Sequence, residues 1–252
     1  MRLFLFLTLL SLPHFSLAKN WENIRFTVEG AYHPFSWTTK EGSLKGFEVD
    51  LINALCRVMN TRCTINKTDW DGIIPSLLSR KNDAILAAMT ITEEREKRVS
   101  FTIPYAKAAT RFIVHKEKEI NFGGREFETL KIGVQRATIG DKYLSQLYPN
   151  INIRRYSTFD EAFIDLLNGR LDTVFGGTIG LSVGFLDTEQ GKNYHFSGPR
   201  FTDEKWFGKG VGIAIRKQDK DLKEKLDRAL KQIITDGEHS RIAKKYFSHE
   251  IM

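Results

Sequence analysis

Two stretches of the chain, 89 residues apart, carry the same pattern. They are Leu77-Leu78-Ser79-Arg80-Lys81-Asn82-Asp83-Ala84-Ile85-Leu86-Ala87-Ala88 and Leu166-Leu167-Asn168-Gly169-Arg170-Leu171-Asp172-Thr173-Val174-Phe175-Gly176-Gly177. In both, an apolar helix ends, a basic residue and an Asp turn the chain, and a buried strand runs out to small residues. Chance likeness of two α/β units is one reading. The other is two similar lobes, each delivering a strand end of small residues to a shared crevice, where a ligand can approach backbone. The remaining periodicity fits layers of strands and helices. Ile24, Phe26 and Val28 alternate, as do Leu130, Ile132 and Val134, whereas Phe159, Ala162, Phe163, Leu166 and Leu167 form a helical stripe. Phe47–Asn60 and Ile73–Leu78 read as helices, Ala84–Ala88 and Gly210–Ile215 as strands, and Asp221–Phe247 as a Lys-rich helix broken near Gly237. The alternation predicts an α/β fold with mixed sheets.

Composition sets outer limits. The 252 residues are 41% hydrophobic and 27% charged, which excludes a disordered, collagen-like or multi-span membrane protein and allows one or two domains. The formal charge of +7 is spread along the chain. It reads as a solvated basic surface, and no nucleic-acid partner is expected. Residues 1–18, MRLFLFLTLLSLPHFSLA, have a positive start, a short apolar middle and small residues at Ser16 and Ala18, the plan of a cleaved secretory signal. Read instead as a membrane anchor, the run Leu3–Leu12 is about half the roughly 20 residues needed to cross a bilayer. No cysteine stands at the cleavage point, so lipid attachment there is excluded. Cleavage after Ala18 leaves Lys19–Met252 exported to the periplasm, its charge falling from +7 to +6 because Arg2 is the only charge removed.

Export sharpens the meaning of Cys56 and Cys63, the only two cysteines. In an oxidising compartment such a pair normally closes, here clipping the end of the helix that begins near Asp50. Two sulfurs with no nearby His are poor zinc chemistry. The six histidines show no metal-ligand spacing, so neither a metal nor a cofactor is expected. There is no nucleophile turn and no phosphate loop, and Gly208-Lys209-Gly210-Val211-Gly212 reads as a place where the chain crosses itself. What the sequence offers is recognition chemistry. Glu29, Tyr32 and Phe35 follow the first strand in E-G-A-Y-H-P-F. Trp70 precedes a helix, and read alone it would be a core residue. In Thr90-Ile91-Thr92-Glu93-Glu94-Arg95 a strand ends, Thr92 caps, and Arg95 enters the first turn. A guanidinium there is either solvated or, because a cation near a helix N-terminus is slightly disfavoured, paired with a carboxylate.

Together these motifs resemble the periplasmic amino-acid-binding proteins of ABC importers, in the branch that binds histidine, arginine, lysine-arginine-ornithine and glutamine. The resemblance runs from Ile24 to about Phe247, through Y-H-P-F, G-F-E-V-D-L, L-C-R-V-M-N-T-R-C, I-I-P-S-L, T-I-T-E-E-R, G-R-L-D and A-K-K-Y-F. It implies a two-lobed periplasmic binding protein fold, α/β with mixed sheets flanked by helices and a ligand cleft between the lobes. Lobe one would comprise 24–108 and 206–252, and lobe two 109–205, closing by a hinge. The cysteine pair matches the disulfide of the basic-amino-acid branch. By resemblance, Arg95 clamps the ligand α-carboxylate with Thr90 and Thr138, and Tyr32 and Trp70 stack on the ligand side chain beside Phe35. Glu29 faces a distal cation, and Gln135 lines the cleft from lobe two. Ala87 and Ala88 stand where the family often has serine and offer backbone only.

One position departs from the family pattern. The Asp that accepts the ligand α-ammonium falls on Gly177, in F-G-G-T, so an Asp introduced there is expected to strengthen binding of an α-amino acid. The implied function is a non-enzymatic, monomeric binding protein that delivers a cationic amino acid, arginine before lysine, ornithine or histidine, to an inner-membrane ABC permease. The alternatives are a dehydratase of cyclohexadienyl type with Glu29 as its acid, or a ligand sensor.

Overall fold

The computed structural model describes residues 21–107, 109–248 and 250–252; the secretory signal read at 1–18 lies outside them. Two five-stranded sheets carry the fold. The first contains β1 (Asn23–Val28), β5 (Arg62–Lys67), β6 (Ala84–Ile85), β7 (Ser100–Phe101) and β13 (Ala214–Ile215), in the order β5-β1-β6-β13-β7. The second contains β8 (Thr110–His115), β9 (Lys131–Gln135), β10 (Asn152–Tyr156), β11 (Thr173–Gly177) and β12 (Tyr194–Phe201), in the order β10-β9-β11-β8-β12. The two sheets are built to one plan. In each, the second strand of the order pairs in parallel with both neighbours, and the last two join antiparallel. The strands of the repeated motif, β6 and β11, take the same central place, which is what two similar lobes require.

The helices follow their apolar stripes. Helix α1 (Phe47–Val58) buries Leu51, Ile52 and Leu55 under the first sheet with Ile24, Phe26 and Val28, joined by Leu226, Leu230 and Ile233 of α8 (Lys220–Thr235). Gly237, at φ +77, breaks α8 from α9 (Glu238–Ala243), so the Lys-rich stretch is two helices. Under the second sheet, α5 (Phe159–Leu167) buries Phe159, Ala162, Phe163 and Leu166, close to the stripe read from sequence. The other face of this sheet packs an aromatic core of Phe112, Phe127, Phe175, Phe201 and Phe207. Two expected strands are shorter than their sequence pattern. β6 ends at Ile85, and the Gly210–Ile215 stretch is sheet only at Ala214–Ile215. In both cases the chain leaves the sheet to line the space between the lobes.

The chain passes between the sheets twice, from β7 to β8 and from β12 to β13. The two crossings lie side by side: the Val211 N–H donates to Ala106 O at 2.8 Å, and the Tyr105 N–H to Val211 O at 2.8 Å. Glycine is needed here. Gly208 sits at φ +68, and a Cβ on it would lie 2.2 Å from Ile91 O. Cys56 and Cys63 are joined as a disulfide with Cα atoms 6.2 Å apart, tying the last turn of α1 to β5. Among the described residues, no helix is long and apolar enough to cross a membrane.

Candidate ligand-binding cleft

The cleft between the lobes is assembled from strand ends, helix starts and turns, where backbone and side chains can both face a ligand. From the first lobe, β1 delivers Glu29, and the turn after it delivers Tyr32, on β2 (Ala31–Tyr32), and Phe35. This turn is fixed by α1. The helix lacks a side-chain cap, but its Phe47 and Glu48 N–H groups donate to Pro34 O and Phe35 O at 3.0 and 2.9 Å. Gly46, at φ +134, allows that approach, because a Cβ there would fall 2.3 Å from Phe35 O. The motifs Y-H-P-F and G-F-E are therefore one device. Trp70 opens a short 3-10 turn, and Ala87, Ala88 and Thr90 follow β6. The second lobe contributes Gln135 at the end of β9, Thr138 at the cap of α4 (Ile139–Leu147), and Gly177 at the end of β11. All eleven residues singled out from sequence line this one cavity, whose roughly 710 Å³ includes space open to solvent.

The charges are unevenly placed. Arg95 follows Thr92, whose side chain accepts the Arg95 N–H at the start of α3 (Glu93–Glu96). Its guanidinium donates to Thr90 O at 2.9 Å and lies over the Trp70 ring, 5.2 Å from its centroid. Among the described residues, no carboxylate lies within ion-pair distance of it, and loss of hydration pulls its pKa down to about 10. It remains a cation at neutral pH, without a counter-ion. Glu29 is buried, and Gln135 donates to its Oε1 at 2.6 Å. Burial pushes Glu29 up to about 7, the Gln135 bond opposes this, and Glu48, Asp160 and Asp69 add repulsion. The Thr138 hydroxyl is already engaged. It donates to Gln135 O at 2.7 Å and accepts from the Asp141 N–H at 3.3 Å.

Sequence reasoning missed Glu48, which stands behind the cleft wall. It is fully buried, and its Oε1 accepts from the Tyr105 hydroxyl and from the Ala88 N–H, both at 2.5 Å. Ala88 sits at φ +45, an unusual conformation for alanine. Glu48 thus holds the peptide of a residue that itself offers only backbone. Burial pushes the Glu48 carboxyl up to about 7 against the pull of these bonds. The signal was available: Leu51, Ile52 and Leu55 follow Glu48 at i+3, i+4 and i+7, so an acid occupies the buried stripe of α1. Phe159 and Lys107 also line the cavity and were not singled out.

The lobes touch across the cleft. Besides the Glu29–Gln135 bond, Asp71 pairs with Arg136 at 2.6 Å, and Glu94 pairs with Lys142. Tyr32 crosses furthest. Its ring stacks between Phe35, at 5.3 Å, and Phe159 of the other lobe, at 5.7 Å. A Cβ on Gly177 would meet the Tyr32 hydroxyl at 2.8 Å, and one on Gly180 would meet the same ring at 2.3 Å. An Asp at 177 would therefore meet the Tyr32 hydroxyl, which would have to shift to admit it.

Comparison with known proteins agrees with this geometry. Residues 24–249 match the family model described as bacterial extracellular solute-binding proteins, family 3. An L-arginine-binding protein of Pseudomonas aeruginosa is 42% identical over 247 residues, 97% of this chain and 94% of that protein. The structure of a periplasmic binding protein of Salmonella typhimurium with high arginine specificity superposes with TM-score 0.83 and 29% identity, covering 90% of this chain and 99% of that one. An ancestral amino-acid-binding protein described as a precursor of cyclohexadienyl dehydratase superposes with TM-score 0.79 and 28% identity, over 90% and 96% of the two chains. With two sheets of one plan facing a shared cleft, and a match over nearly all of its described length, the chain belongs to family 3 of the bacterial extracellular solute-binding proteins.

Proposed function

We propose that the protein is a periplasmic receptor for a cationic amino acid, arginine before lysine, ornithine or histidine, which it passes to an inner-membrane ABC permease. The observation that carries this reading is the Arg95 guanidinium, held over Trp70 in the cleft with no carboxylate partner among the described residues. A desolvated cation of this kind is complemented by a ligand carboxylate, with Thr90 and Thr138 beside it. Glu29 answers a guanidinium or ammonium at the other end of the ligand, and Tyr32, Phe35 and Trp70 supply ring faces for the chain between them. Gln135 and the backbone of Ala87 and Ala88 complete the wall, and Gly177 leaves room for Tyr32. From the sequence, lobe one spans 24–108 and 206–252, and lobe two 109–205. Trp206 and Phe207 pack in the second core, so the second crossing reads slightly later than sequence alone puts it. The hinge lies where Ala106 and Val211 meet. The mature chain, Lys19–Met252, works as a monomer without catalysis.

Calorimetry against a panel of amino acids tests the reading directly. Arginine is expected to bind with a 1:1 stoichiometry, and Glu29→Gln to weaken arginine more than it weakens a neutral amino acid. Absence of binding by every cationic amino acid would overturn it. A second reading is favoured by one observation: Glu29, at about 7, is poised as an acid in an enclosed site. On that reading the protein dehydrates prephenate or arogenate, and turnover of either substrate, abolished in Glu29→Gln, would replace the first.

A further inference from the structure

The charges lining the cleft are Glu29, Arg95 and Lys107: two cations and one acid. A cationic α-amino acid brings two cations and one carboxylate of its own. Lys107 is exposed to solvent, so of these charges only Glu29 and Arg95 are enclosed, and taking up such a ligand would leave one positive charge in excess even with Glu29 ionised. The Arg95 guanidinium takes the ligand carboxylate, and Glu29 takes the distal cation. Nothing charged is left for an α-ammonium, which is costly to desolvate without a partner. The groups nearby that could accept from it are neutral. Thr90 O already accepts from Arg95 at 2.9 Å, and the Thr178 hydroxyl donates to Ala109 O at 3.0 Å. At Gly177 the second lobe presents no side chain, and the space is filled by the Tyr32 hydroxyl. Among the described residues, that hydroxyl has no hydrogen-bond partner. Burial and the nearby Glu29 and Glu48 carboxylates keep it protonated, so it is a neutral donor and acceptor.

We infer that the cleft recognises ω-guanidino and ω-amino carboxylates without using an α-ammonium, and that it takes ligands bearing hydrogen or hydroxyl at the α-carbon at least as well as arginine. The inference rests on the proposed roles of Arg95 and Glu29, and it narrows the ligand class of that same site. Removing the α-ammonium lowers the enclosed excess from one positive charge to none, and an α-hydroxyl can bond to Tyr32.

The test is calorimetry of the intact mature protein with three probes: L-arginine, 5-guanidinopentanoate and 5-guanidino-2-hydroxypentanoate. The expected result is that at least one of the two acids lacking the α-ammonium binds within threefold of arginine or more tightly. Tyr32→Phe should then weaken the hydroxy acid selectively against 5-guanidinopentanoate. Arginine binding more than threefold tighter than both acids would overturn the inference and leave the proposed receptor standing. If none of the three bound, the proposed function itself would fall, which is a different outcome. A Tyr32→Phe variant that shifts the two acids equally would overturn the part assigned to the Tyr32 hydroxyl.

Discussion

The two strand ends that echo each other in sequence, Ala84–Ala88 and Thr173–Gly177, are finished in different ways. In the first lobe only Ala84 and Ile85 stay in the sheet. The chain then turns through Ala88 at φ +45, held by the buried Glu48 carboxylate. In the second lobe β11 keeps pairing with β8 through Gly177↔Thr110, and no acidic side chain stands at its end. The first lobe therefore brings the charge: Glu29, Arg95 and, behind the wall, Glu48. From the second lobe come Gln135, Thr138 and the glycines Gly140, Gly176 and Gly177. A repeated fold thus carries charged groups at the cleft in one lobe and mostly neutral ones in the other.

That division predicts that substitutions in the first lobe cost more. Arg95→Ala should lower affinity for arginine by about 2–5 kcal/mol, because a ligand carboxylate would be enclosed half-satisfied. Arg95→Lys should recover little of it, since an ammonium cannot make two parallel bonds. Thr138→Ala in the second lobe should cost only about 1 kcal/mol, mostly as a lost helix cap in folding stability. Calorimetry of the three variants orders them. If Thr138→Ala cost as much binding as Arg95→Ala, the division between the lobes would be wrong.

Glu48 gives the next largest effect, in stability against pH. Its ordinary value is 4.5, and burial raises it to about 7 in the fold. The folded protein thus holds this proton more tightly than the unfolded chain. The stability it confers is fully present below the unfolded value and is lost as pH rises through about 7. The loss is on the order of 3 kcal/mol. Glu29, raised in the same way, adds to the slope. The melting temperature should therefore fall between pH 5 and pH 8, and Glu48→Gln should flatten that fall. A wild-type melting temperature that rose over this range would refute the burial argument for both acids.

Much of this division was legible in the sequence, and the illegible part has a physical cause. The helical stripe of α5, the Thr92 cap and the break at Gly237 are local, set by spacing and by single residues. The residues that line the cleft could be named because their motifs sit at strand ends and helix starts. Strand lengths were overestimated at Ala84–Ala88 and Gly210–Ile215 because an apolar run says that residues are buried, not that they are paired. The insertion of Tyr32 between Gly177 and Gly180 was invisible. It depends on how two lobes meet, and no local pattern encodes the approach of residue 32 to residue 177.

The disulfide sharpens the same comparison, since among the described residues both cysteines lie in the charged lobe. Replacing Cys56 and Cys63 together by Ala should lower folding stability by on the order of 2 kcal/mol, since the loop they close is short. The tie holds the end of α1 and the start of β5, remote from the cleft, so affinity should change little. Thermal melts and calorimetry on one variant check both halves. An affinity loss larger than about tenfold would mean that the disulfide helps to position Glu48 through α1.

The smallest effect is expected at the rim, where the two lobes meet through Asp71–Arg136 and Glu94–Lys142. All four side chains are substantially exposed. Each pair gains little in high dielectric and is screened by salt, so each is worth about 0.2–1 kcal/mol. The pairs form only when the lobes are together, and that energy stabilises closure without touching the ligand. Asp71→Asn should therefore weaken ligand binding by less than about fivefold, with the change in the rate of ligand release. Raising the salt concentration should shrink the difference between variant and wild type, because the wild type loses the same attraction to screening. A double-mutant cycle with Arg136→Gln isolates the pair. A coupling energy near zero would mean that Tyr32 and the Glu29–Gln135 bond hold the lobes together without help from the rim. A coupling above about 2 kcal/mol would place the two residues in a drier contact than their exposure allows.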